Sequence, residues 1–125
     1  MKKVKAKQIL DGIEFPGYDD PAPFRDDEFS GTTKESLTAA LNSAIKLIKA
    51  RSADASYSEF YAWGNIEHYL KEAVRFTCDF MDNDSDSSIA MAIASISDAR
   101  TAEYKVSSNR DVTQPLYKLI MGLYL

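Results

Sequence analysis

From residue 33 onward the apolar positions recur with the period of a helix. Leu37, Leu41, Ala44, Ile45 and Ile48 form one stripe, while Lys34, Thr38, Asn42, Lys46 and Lys49 lie largely off it. Thr32 and Glu35 stand three apart in front of that stripe, the spacing of a capping box. Lys46, Lys49 and Arg51 gather at its far end, where cations suit the helix dipole. The pattern predicts a helix over 33–51. A second capping-box spacing, Ser56 and Glu59, precedes Phe60, Trp63, Ile66, Tyr69, Leu70, Ala73, Val74, Phe80 and Met81, with Thr77 among them. These read as one wide stripe on a helix over 57–81, with Glu67 placed four residues before Lys71 in the favourable order. Gly64 interrupts it and suggests a bend or a close helix contact.

Residues 82–88 are polar throughout and read as a loop, with Asp84, Ser85 and Asp86 all good caps for the next helix. From Ile89 to Ile96 only apolar and small residues occur, which predicts a central helix, over 86–104. Ser107 to Arg110 make a turn. Pro115 then suits the first turn of a last helix over 114–124, whose Leu116, Tyr117, Leu119, Ile120, Met121 and Leu123 need burial. The expected fold is all-α, a compact bundle of about four helices.

The first 31 residues differ. They hold three of the four prolines and three of the five glycines, and predict an irregular arm, 1–31, ahead of a helical domain, 32–125. Residues 1–7 carry four lysines and no acid, while residues 8–31 carry seven acids against Arg25. The rest of the chain is nearly neutral, and the whole of 125 residues has a net charge of −4. That balance makes nucleic acid an unexpected partner, since a nucleic-acid binder shows a basic domain. No apolar run approaches the roughly 18 residues of a membrane helix, and the basic start has no apolar stretch behind it, so a secretory signal and a membrane location are not expected. One cysteine, Cys78, makes no intramolecular disulfide, and a cytoplasmic setting is the expectation.

Motifs for chemistry are sparse. Asp82, Asp84 and Asp86 imitate the start of a calcium loop, but Ser87 stands where the sharp turn wants Gly and Ile93 where a carboxylate should close the site. His68 and Cys78 are ten residues apart on one predicted helix, about 15 Å along its axis. No catalytic residues, metal ligands or cofactor are assigned, and the chain is not expected to be an enzyme. What the arm does carry is Phe15, Tyr18, Phe24 and Phe29 interleaved with Asp19, Asp20, Asp26 and Asp27. An acidic segment with spaced rings docks on a basic partner with hydrophobic pockets, or staples itself to its own body. Tyr57, Phe60, Tyr61 and Trp63 crowd both faces of one turn, one of which is core. Tyr57 and Tyr61 are the candidates for a contact surface beside it.

The resulting expectation is a non-enzymatic protein-interaction module, a small cytosolic inhibitor, immunity-type or accessory protein. It would bind one protein partner through Phe15, Tyr18, Asp19, Asp20, Phe24, Asp26, Asp27, Phe29, Tyr57 and Tyr61. The alternative is a structural assembly subunit, viral or oligomer-forming, whose arm and C-terminal helix contact neighbouring copies.

Overall fold

The computed structural model describes residues 32–123, and the eight arm residues named above lie outside that range. Four helices are present in order: α1, Lys34–Ser52; α2, Tyr57–Asn83; α3, Asp86–Ser107; and α4, Gln114–Met121. With no strand among the described residues, the protein is an all-α bundle. α2 and α3 form a long hairpin, α1 packs on α2 and α4, and α4 closes against α1 and α3. The core runs through Leu37, Ala44 and Ile48 of α1, Ile66, Leu70 and Phe80 of α2, Ile89, Ile93 and Ile96 of α3, and Leu116 and Ile120 of α4.

The helix starts differ in register from the capping boxes expected of the sequence. Thr33, not Thr32, caps α1: its hydroxyl accepts from the Ser36 amide at 3.0 Å, and Ser36 returns the bond by accepting from the Thr33 amide at 2.9 Å. Thr32 is engaged elsewhere, since its hydroxyl donates to the Leu119 carbonyl of α4 at 2.9 Å. The cap thus stands one residue later than the sequence spacing places it, next to a residue bonded to α4. At α2, Ser56 does cap, accepting from the Glu59 amide. The Glu59 carboxylate accepts from the Ser56 hydroxyl at 2.8 Å rather than reaching the backbone, so only half of the expected box forms.

The expected polar loop over 82–88 shrinks to two residues. α2 runs on through Asn83, Asp84 closes it in the left-handed conformation at φ 53°, and Ser85 caps α3. Asp is one of the few non-glycine residues that accept that conformation readily. Asp82 belongs to the last turn of α2 and pairs with Lys34, which ties the start of α1 to the end of α2. The three aspartates therefore do not share one loop. Helix α3 runs three residues past its expected end, to Ser107, and Ser108 stops it at φ 60°.

Two packing expectations need correction. α3 is not apolar on all sides of a buried position: Met91 and Ala94 are exposed, because the neighbouring helices cover the opposite face. Gly64 makes no close contact either. It is exposed, and a Cβ added there would meet no described residue within 4 Å. The last helix does bury its apolar side, with Leu116, Tyr117, Ile120, Met121 and Leu123 in the core of this chain.

What orients α4 is a buried carboxylate. Glu103 of α3 is fully buried and accepts from the Val112 and Thr113 amides, both at 2.9 Å, and from the Thr113 hydroxyl at 2.8 Å. It thus satisfies the N–H of the α4 cap residue Thr113 and that of Val112 just before it. The Arg51 guanidinium lies 3.8 Å from the same carboxylate, and it grips Asp111 with both terminal nitrogens. Beside this cluster Arg100 donates to the Gln114 side chain at 2.5 Å and stacks 3.6 Å from the Tyr117 ring centre. Three helices and one turn meet there.

Glu103→Ala strands two buried amides and a hydroxyl, each worth about 1–3 kcal/mol when left without an acceptor. We expect a loss of about 3 kcal/mol in urea unfolding, and a smaller loss for Glu103→Gln, whose oxygen still accepts. Gly64→Ala goes the other way. With room for the methyl and no backbone need for glycine, it should stabilise dilute protein by about 0.5–1 kcal/mol in the same measurement.

Candidate interaction surface

The first turns of α2 carry large rings that the core does not take. Trp63 and Ile66 point inward, and Trp63 is only 4% exposed beneath the Arg51 guanidinium at 5.8 Å. On the other side Tyr57 is 77% exposed, and Phe60 and Tyr61 are each 57% exposed. The sequence pattern places Phe60 in the core stripe. It falls outside because the stripe is narrower than its apolar residues suggest, and the inward side is already filled by Trp63, Ile66 and Leu70. Tyr57 and Tyr61, both expected as contact residues, lie together: their rings meet edge to face with centres 4.9 Å apart. The Tyr57 hydroxyl donates to the Tyr61 oxygen at 3.1 Å, and that bond, with a smaller contribution from burial, holds the Tyr57 hydroxyl above its ordinary pKa.

Beside the rings, a shallow groove of about 380 Å³ runs between α2 and the end of α3. Ala62, Asn65 and Tyr69 form one wall, and Ala102, Lys105 and Val106 the other. Tyr104, exposed near the end of α3, stacks with the Arg110 guanidinium at 4.8 Å. The apolar floor and polar rim suit a contact with another surface.

The groups that could do chemistry are dispersed. His68 is exposed, and Cys78 is half-buried with its thiol pushed up by burial. Among the described residues no three His, Cys, Asp or Glu side chains come together as a metal site. No described helix is long and apolar enough to cross a membrane. Lys46 and Lys49 stay exposed on α1, but Arg51 is turned to Asp111 and does not join them. Two structural carboxylates besides Glu103 carry no motif in the sequence. Asp79 accepts from the Ser88 hydroxyl and from the Asn83 amide at 2.7 Å, which joins α2 to the start of α3. Asp111 receives Arg51 across the bundle. The only advance signal for either is its charge beside a helix end.

Comparison of the chain with protein-family models, with curated proteins and with solved structures gives no match. The surface therefore stands on its own geometry.

Asp79 and Asp111 also contribute to the acid response. Both are held below the ordinary value of 3.8, Asp79 chiefly by the Ser88 hydroxyl and Asp111 chiefly by the Arg51 hydrogen bond. The unfolded chain takes up protons at these groups at a higher pH than the folded one does. Their contribution is complete above the unfolded value and is lost as pH falls through the folded one. Thermal melts should hold steady down to about pH 5 and then fall. The gap between wild type and Asp111→Asn should be present at neutral pH and close in strong acid.

Proposed function

We propose that the protein is a non-enzymatic interaction module, a small cytosolic inhibitor, immunity-type or accessory protein that binds one protein partner. Its contact surface would combine Tyr57, Phe60 and Tyr61 with the acidic–aromatic segment around Phe15, Tyr18, Asp19, Asp20, Phe24, Asp26, Asp27 and Phe29. One observation carries the reading: three large rings within five residues of α2 stand in water while the core is complete without them. Fully burying a large apolar side chain is worth about 1.5–3 kcal/mol. Leaving three of them outside forgoes much of that gain, which a partner can recover. Tyrosine is also among the preferred anchors of protein interfaces, since one end is apolar and the other can hydrogen-bond. The acids of the arm favour a basic partner, because complementary charge speeds encounter and sets register.

The assembly-subunit alternative has less to draw on. Its second contact is the C-terminal helix, and Leu116, Tyr117, Ile120 and Met121 of that helix lie in the core of this chain.

The full-length chain as bait in native lysate tests the proposal. Wild type should retain a stoichiometric protein partner, and Tyr57→Ser/Tyr61→Ser should weaken its capture at least tenfold, about 1.4 kcal/mol, with an unchanged melting temperature. Equal capture by both proteins would remove the aromatic patch from the contact.

A further inference from the structure

The outward side of α2 has a register of its own. Tyr57, Tyr61, Gly64, His68, Lys71 and Arg75 are all exposed and recur at spacings of four, three, four, three and four. That is the 3.5-residue seam along which one helix lies on another. The inward residues Trp63, Ile66, Leu70, Ala73 and Thr77 occupy the opposite side, so the seam takes no part in the core. Its chemistry is split: rings at the N-terminal end, a glycine and an imidazole in the middle, cations at the C-terminal end. The cations are held in place on the surface. Lys71 pairs with Glu67 at 2.9 Å, and Arg75 pairs with Glu72 at 2.5 Å and stacks over its neighbour Phe76. Gly64 weakens the helix relative to alanine, yet no described residue needs the space.

We propose that a second copy of this chain covers this face, the two α2 helices running antiparallel about a two-fold axis at the level of Ile66. Reversal about that point sets Tyr57 against the partner's Arg75, Tyr61 against the partner's Lys71 and Gly64 against the partner's His68. Each pair occurs twice, as a two-fold interface requires. The electron-rich ring faces attract the cations, and the missing side chain at Gly64 leaves room for the imidazole and lets the backbones approach. A parallel pairing fails on the same residues, because it sets Lys71 against Lys71 and Arg75 against Arg75. The match of cations to rings thus selects both the occupant and its direction. The dimer shares Tyr57 and Tyr61 with the proposed partner surface but does not depend on that reading.

Sedimentation equilibrium of the full-length chain decides the matter. Wild type should show a monomer–dimer equilibrium. Gly64→Glu should weaken it at least tenfold without lowering the melting temperature of dilute protein, since the monomer has open space at that position. Tyr57→Arg should weaken it as well, by setting cation against cation, and the exchange Tyr57→Arg/Arg75→Tyr should restore it. A wild type that stays monomeric up to its solubility limit overturns the proposal, whether the face is then covered by the N-terminal segment of the same chain or by another protein. So does a dimer indifferent to Gly64→Glu, or an exchange variant no better than Tyr57→Arg alone. Capture of a partner from lysate is a separate readout: a monomeric wild type leaves it intact, and its loss leaves the dimer intact.

Discussion

A carboxylate taken fully out of water is costly unless every lone pair it exposes finds a donor and its charge an opposite. Glu103 meets that condition with two backbone amides, one hydroxyl and a nearby guanidinium, and the rest of the bundle is arranged around their supply. The amides come from Val112 and Thr113, which sets the chain on the line that α4 then takes. The guanidinium comes from Arg51 at the end of α1, which in the same gesture grips Asp111 and lies over Trp63. Residues from all four helices or their connections are thereby held at one end of the molecule. The charge also sits at the N-terminal end of α4, where the helix dipole favours an anion.

At the opposite end the ties are lighter and more exposed. Lys34 pairs with Asp82 at half-exposed positions, where solvent screens an ion pair and little stability comes from it. Thr32 bonds to the Leu119 carbonyl and links the start of α1 to α4. Between the two ends the long α2–α3 hairpin supplies most of the apolar contact. α1 and α4 cover its inner side. Its outer side remains open, and this is why the groove between Tyr69 and Ala102, the exposed Met91 and the aromatic turn of α2 all face water.

The proposed contact surface arises from this division of α2. Its inward residues are enough to complete the core, so the outward ones carry no packing duty. A helix of 27 residues offers several turns of such a face. On it the rings are anchored by the Tyr57–Tyr61 bond and edge contact, and the cations by Glu67 and Glu72. Side chains already restrained lose less entropy when a second surface covers them. That restraint would favour the contact proposed for them.

Local patterns determined a great deal on their own. The period of Leu37, Ala44 and Ile48, the cap at Ser56, the proline at the start of α4 and the Glu67–Lys71 pair all express interactions within about one helical turn, and each is present in the fold. The number and order of helices come from such patterns. Contacts distant in sequence were decided only by tertiary structure. Thr32 bonds to a carbonyl 87 residues away while Thr33 takes the cap, and Arg51 reaches Asp111, 60 residues on. Glu103 looks like any surface glutamate until α4 turns back over it. The candidate surface divides in the same manner. The period set Trp63 in the core stripe and left Tyr57 and Tyr61 off it, where the fold has them, but it also set Phe60 in the stripe, and Phe60 is exposed. Helical period places residues on faces, and only the positions of neighbouring helices decide which face is inside. Trp63 went in because Arg51 and the core lie on its side, and the other three stayed out because no described helix packs on theirs.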